Sequence, residues 1–285
     1  MVLDSIRFTL FPELKEESDN KAYLESYIYE DNDVRPGMLI VPGGGYDHLS
    51  KIESYHVAEF FFNKGFQTFI LRYSTAPLGG PHLGLKPLSE ITRAVRLIRS
   101  MSDEFKLKDG KLAACGFSAG GHLIATLCTH PDFDDKEAGF SDVNSRMPNT
   151  LEDPYDDISF MPDAIILGYP VITMTGPYIH EGSVRQLLGQ EPSKEDLDFM
   201  STQLHVTQSS PPAFIWSFID DQSVPVQNSY MYAEACQKAG VPYTLHIFSH
   251  GSHGMALSDG YEGRFTSEET ACWPQMAIDF VNSHL

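Results

Sequence analysis

The sequence predicts an α/β fold: a mainly parallel sheet with helices on both faces and small lid-like insertions. Three observations carry that prediction. Short β-rich runs recur along the chain, helical patterns separate them, and several of the runs are near-continuous apolar stretches of the kind buried on both faces of a sheet. Alternation of this order implies right-handed crossovers between parallel neighbours. At 285 residues the chain buries a substantial core, and no linker divides it.

The elements follow in order. "IRFTLF" (6–11) and "AYLESYIY" (22–29) predict an antiparallel lead-in hairpin. "GMLIVP" (37–42), "FQTFILRY" (66–73), "KLAACGF" (111–117), "DAIILGYP" (163–170), "PAFIWSFI" (212–219) and "YTLHIFS" (243–249) read as strands. Helical patterns cover 52–64, 87–104, 119–129, 226–239 and 271–284. Two stretches break the rhythm: the acidic, Pro/Asn-rich 130–161, and 172–210 with the short helical patterns "SVRQLLG" and "KEDLDFMSTQL". Insertions this long in a compact domain act as lids or substrate walls. The chain reads as one domain over 1–285 with these two insertions.

Composition narrows the function classes. The formal charge of −19, from 39 acidic and 20 basic residues, repels nucleic acid and anionic lipid alike. Arg93, Arg96 and Arg99 lie at i, i+3 and i+6, opposite Ile91, Ala94, Val95 and Ile98, and are expected to form a solvated helix face. No basic, apolar leader opens the chain and no run of about 18 apolar residues occurs, so a soluble cytoplasmic protein is expected. Cys115, Cys128, Cys236 and Cys272 form no CxxC pair and are expected to be reduced, mostly buried thiols.

The stretch with chemical content is "KLAACGFSAGGHLIATL" (111–127). Gly116-Phe117-Ser118-Ala119-Gly120 is a G-x-S-x-G between a predicted strand and a predicted helix, the sequence form of a nucleophile elbow. The turn is too sharp for side chains at its flanks, and it lifts the Ser118 hydroxyl clear of the sheet. The plainer reading is a glycine-rich turn with Ser118 as a helix cap. A serine hydroxyl is a weak nucleophile until a base takes its proton and a third group holds that base. Both partners have positions after later strands, in the order Ser, acid, His. "DDQSVPVQNS" (220–229) offers Asp220 or Asp221, and Asp221 is preferred because it lies closer to the "SVP" turn. "HGSHGMAL" (250–257) offers His253 as base, flanked by Gly251 and Gly254, with His250 as its rival. The two histidines form an HxxH, yet no second ligand cluster accompanies it, so neither metal nor cofactor is expected. His246, inside a strand pattern, is a core or face residue.

Acyl transfer also needs donors for an oxyanion. The Ala119 N–H opens a helix and gains from its dipole. The loop "PGGGYDHLS" (42–50) supplies bare backbone at Gly43, Gly44 and Gly45. It lacks both G-x-G-x-x-G and GK[ST], so an oxyanion loop fits it better than a phosphate loop. Tyr46, Phe160, Tyr178 and Trp216 are candidates to stack on a sugar or line an alkyl pocket, and Tyr46 is the substrate contact expected here; core packing is the commoner fate of such side chains.

Together, PGGGY (42–46), "LRYSTAP" (71–77), GFSAGG (116–121), "DDQSVPVQNS" (220–229) and "HIFSHGSHG" (246–254) resemble the acetyl-esterase/lipase group of α/β-hydrolases, which includes acetylxylan esterases. The resemblance spans residues 36–284. It implies an eight-stranded α/β-hydrolase core, Ser118 as nucleophile, Asp221 as acid, His253 as base, and an oxyanion hole from Gly44, Gly45 and Ala119. It implies hydrolysis of short acyl esters, acetyl groups on sugars or xylo-oligosaccharides, through an acyl-enzyme. Many relatives carry His-Gly-Gly-Gly where this chain has Pro42, which leaves open which glycine N–H points inward. A small amidase or formamidase is the alternative enzyme, and a non-catalytic binding protein the alternative class. A homodimer is the default assembly for a soluble enzyme.

Overall fold

The computed structural model describes residues 5–11, 22–76, 80–133, 155, 157–263 and 266–285. Eight strands form one sheet: β1 (Ile6–Thr9), β2 (Tyr23–Tyr27), β3 (Arg35–Val41), β4 (Gln67–Arg72), β5 (Leu107–Phe117), β6 (Ala164–Gly168), β7 (Ala213–Phe218) and β8 (Tyr243–Phe248). Their spatial order is β1-β2-β4-β3-β5-β6-β7-β8. β1 pairs antiparallel with β2, and β2 antiparallel with β4, as the lead-in hairpin requires. Every other pair is parallel. Parallel strands end at the same edge, so the loops after β3, β5, β7 and β8 open onto one rim, where an α/β sheet places its site.

Strand side chains alternate between two cores. Leu39, Val41, Ala114, Ile165, Leu167 and Ile215 point to one face. There they meet α2 (Lys86–Ser100), α3 (Ala119–Thr129) and α6 (Gln227–Ala239). Met38, Ile40, Cys115, Ile166, Phe214 and Trp216 point to the other, under α1 (Tyr55–Asn63) and α7 (Trp273–Asn282). Burial on both faces explains why these strands read as continuous apolar runs. Start and stop signals are legible: Pro87 and Pro274 sit in first turns, and Gly240 closes α6 with a left-handed residue.

The 172–210 insertion forms α4 (Glu181–Leu188), α5 (Lys194–Phe199) and a 3-10 turn at Thr202–Leu204. Most of the 130–161 insertion, residues 134–154 and 156, lies outside the described residues. Helix α1 starts at Tyr55 rather than 52, because residues 51–54 fold into a turn in which the Ser54 hydroxyl donates to the Ser50 carbonyl.

The arginine stripe on α2 corrects an expectation. Arg93 is buried, its guanidinium over the Phe11 and Tyr155 rings. Arg96 donates to the Ile158 carbonyl, and Arg99 to the Met161 carbonyl and Asp163. The segment before β6 folds over this face, and the fork-shaped guanidinium is suited to capping its carbonyls. The thiols match the expectation: all four are free and three are buried, Cys272 being exposed. Among the described residues, no helix is long and apolar enough to cross a membrane.

Candidate active site

Ser118 stands between β5 and α3 with φ 52° and ψ −120°, a conformation a non-glycine residue holds at a cost of about 1–3 kcal/mol. Its surroundings enforce it. The Ser118 N–H donates to the Gly168 carbonyl at 3.0 Å, while the Ser118 carbonyl accepts from His122 and Val171. A Cβ on Gly116 would lie 2.6 Å from the Gly120 carbonyl oxygen, and one on Gly120 would lie 2.1 Å from that of Val41. Strand and helix therefore approach more closely than any side chain permits.

The three residues nominated as a relay meet. The Ser118 hydroxyl lies 2.8 Å from His253 Nε2, and His253 Nδ1 lies 2.7 Å from Asp221 Oδ2. A carboxylate only accepts, so Nδ1 carries a proton and Nε2 is free to accept from Ser118. Asp221 Oδ1 accepts from the backbone N–H groups of Ser223 and Val224, and its side chain has no exposed surface. The rival pair stands apart. Asp220 pairs with His250 at 3.2 Å and accepts from the Gly251 N–H, both in the exposed part of the loop.

The glycine loop presses against the nucleophile. A Cβ on Gly43 would come within 2.9 Å of Ser118 Cβ. The Gly43 N–H is committed to Glu53 Oε2 at 2.8 Å, and the Pro42 carbonyl accepts from the Tyr73 hydroxyl. Among the described residues, the N–H groups of Gly44, Gly45 and Ala119 have no protein acceptor, which leaves them as donors for an oxyanion. Gly44 has φ +125°, and a Cβ there would lie 2.0 Å from the His48 carbonyl oxygen.

Sequence reasoning missed the group that ties this loop to the histidine loop. The other oxygen of Glu53 accepts from the Tyr169 hydroxyl at 2.8 Å, and that hydroxyl accepts in turn from the Ala256 N–H. Tyr169 packs its ring edge-on to the His253 imidazole. Burial, and then the Glu53 charge, raise the Tyr169 pKa well above the usual value, so the hydroxyl keeps the proton it donates. Nothing in "KIESYH" marks Glu53 as special. Tyr169, one residue past β6 on the rim, had a positional signal.

Tyr46 is a correction. Its residue has no exposed surface, and its hydroxyl lies 2.7 Å from His122 Nδ1 on the core side of the glycine loop. His122 Nε2 donates to the Met200 carbonyl, and burial depresses the His122 pKa to about 4. The neutral ring thus accepts from Tyr46 at Nδ1. Tyr46 anchors the loop and does not reach a substrate. Trp216 and Phe160 are likewise buried, Trp216 stacked on Trp273, whereas Tyr178 is exposed.

Ser118 opens into a cleft of about 390 Å³. Among the described residues, its lining carries glycines and polar side chains, including Asp47, His48, Glu53, His180, Gln186 and Ser223, and no aliphatic or benzenoid side chain.

The BD-FAE family profile matches residues 25–236. Endo-1,4-beta-xylanase B of Butyrivibrio fibrisolvens is 38% identical over 253 residues, 87% of this chain and 38% of that protein. Acetylxylan esterase of Xylanibacter ruminicola is 29% identical over 86% of this chain and 46% of its own length. The chain thus spans less than half the length of these curated relatives. The crystal structure of an acetyl ester-xyloside bifunctional hydrolase from Caldicellulosiruptor lactoaceticus superposes with a TM-score of 0.80 at 32% identity, over 99% of this chain and 97% of that one. The chain belongs to the BD-FAE family and has an α/β-hydrolase fold.

Proposed function

We propose that the chain is a serine esterase that removes short acyl groups, acetyl above all, from carbohydrate hydroxyls. The observation that carries this reading is the cleft: a relay-linked serine faces a space whose walls, among the described residues, are glycine and hydrogen-bonding side chains. A long acyl chain gains affinity by burying apolar surface, about 0.8 kcal/mol per methylene, and needs apolar walls to do so. An acetyl group needs almost none, and a sugar needs donors and acceptors. The names of the xylanase, acetylxylan esterase and xyloside hydrolase relatives point to the same substrate class.

In the proposed reaction His253 Nε2 takes the Ser118 proton as Oγ attacks the ester carbonyl. The N–H groups of Ala119 and of Gly44 or Gly45 hold the oxyanion, and Asp221 holds the imidazolium that forms. On collapse His253 Nε2–H protonates the departing sugar oxygen. Water, activated by the same nitrogen, then attacks the acyl-serine and releases the acid.

The test is turnover of p-nitrophenyl esters from acetate to octanoate and of acetylated xylo-oligosaccharides, with Ser118→Ala as control. Highest kcat/KM on acetate, release of acetate from the oligosaccharide and loss of both in the variant are expected. Preference for octanoate, or undiminished activity in Ser118→Ala, would overturn the reading.

A further inference from the structure

We propose that His180 and Gln186, on the 172–210 insertion, form a hydroxyl-reading subsite that binds the carbohydrate oxygen next to the ester being cleaved. This rests on the esterase reading above and names the residues that distinguish a polyol from a plain alcohol.

His180 caps α4. Its Nδ1 accepts from the Ser183 N–H at 3.1 Å and lies 2.8 Å from the Ser183 hydroxyl. An accepting Nδ1 in a neutral ring leaves the hydrogen on Nε2. The ring stays neutral because burial lowers its pKa, helped by the neighbouring His253. Among the described residues, Nε2–H has no acceptor. The ring edge has room: its Cε1 would be 3.5 Å from a Cβ on Gly45 and 3.1 Å from one on Gly182, and both positions are glycine. A fixed, unpaired donor therefore stands in the wall of the cleft that holds Ser118 and His253.

Gln186 lines the same cleft, is 4% exposed, and has a buried Nε2 with no partner. Buried amide groups are normally satisfied; this Nε2 is closed off from solvent, so the amide meets a ligand oxygen by turning toward the cleft. Rotation of the amide about its terminal bond presents either a donor or an acceptor. In the proposed reaction His253 protonates the leaving alcohol, so that alcohol lies against this wall. An aryl or simple alkyl alcohol has no second oxygen to offer. A sugar ring has one on the adjoining carbon.

The experiment is a mutant–substrate cycle. The kcat/KM is measured for a mono-acetylated methyl β-xyloside and for its analogue lacking the hydroxyl next to the ester, in the wild type, His180→Asn, His180→Gln and Gln186→Met. Asparagine keeps an acceptor for the helix cap. The wild type is expected to prefer the hydroxylated substrate by about tenfold or more, the size of one lost hydrogen bond at a site left unpaired. H180N and Q186M should each bring that ratio toward unity, and H180Q, which restores an amide donor, should recover part of it. A wild type that does not discriminate, or H180N and Q186M variants that discriminate as well as it does, would overturn the proposal. Q186M gives the second reading if H180N does not fold. Absence of Ser118-dependent turnover of p-nitrophenyl acetate would instead overturn the esterase reading on which the subsite rests.

Discussion

Glu53 Oε1 lies 2.8 Å from the Tyr169 hydroxyl across 116 residues of sequence, while the other carboxylate oxygen holds the Gly43 N–H. One buried carboxylate thereby sets the distance between the glycine loop and the loop that carries His253. Removing it leaves the Gly43 N–H and the Tyr169 O–H, both buried donors, without acceptors.

Glu53→Leu is therefore expected to lower stability by about 2–3 kcal/mol, the cost of unpaired buried polar groups. It should reduce kcat by roughly 10–100-fold with a smaller change in KM, because both Glu53 oxygens are committed to Gly43 and Tyr169 and so act through loop position. Glu53→Gln still accepts from Gly43 and should recover most of both. Steady-state kinetics with thermal melts checks this, and equal losses in the two variants would refute the positioning role.

Adjacent aspartates should behave oppositely. Asp221→Asn keeps the shape of the side chain and offers an N–H where His253 needs an acceptor, so kcat should fall by about 10³–10⁴-fold. The Asp220 carboxylate bonds to the exposed His250 and to the Gly251 N–H. Asp220→Asn should change kcat by no more than about threefold, as surface pairs contribute little. A large loss in Asp220→Asn would reassign the acid.

At Gly44 the backbone itself is at stake. A methyl there meets the His48 carbonyl at 2.0 Å and must adopt φ +125°. Gly44→Ala should displace the loop, with kcat down by about tenfold or more, comparable to the loss of one oxyanion donor. Near-normal kcat in that variant would remove Gly44 from the oxyanion site.

His122 predicts a signed dependence of stability on pH. Its folded pKa, depressed to about 4 from 6.5, means that the unfolded chain takes up the proton first as pH falls. His122 thus costs stability progressively from about pH 6.5 to 4, by up to about 3 kcal/mol. Glu90, raised to about 7 from 4.5 by burial, acts in the opposite direction, since the folded state then holds the proton first. Comparison with His122→Asn isolates the histidine: the stability advantage of the wild type should shrink as pH drops through that window. A constant difference across denaturation curves from pH 7 to 4 would contradict it.

By itself the sequence determined the strand and helix order, the strained serine turn and the rim loops bearing an acid and a histidine. Each of these is a local demand: apolar periodicity, glycines where backbones touch, an irregular loop after a strand. Tertiary structure alone decided the rest. It paired Asp221 rather than Asp220 with His253, since only the direction each side chain takes from its turn separates two adjacent carboxylates. It buried Tyr46 against His122, where an aromatic in the glycine loop suggested contact with substrate, and engaged the α2 arginines with the segment before β6, where periodicity suggested water. Glu53 and Tyr169 met across 116 residues, and such a contact leaves no periodic trace, because a hydrogen bond depends on position in space and not on spacing along the chain.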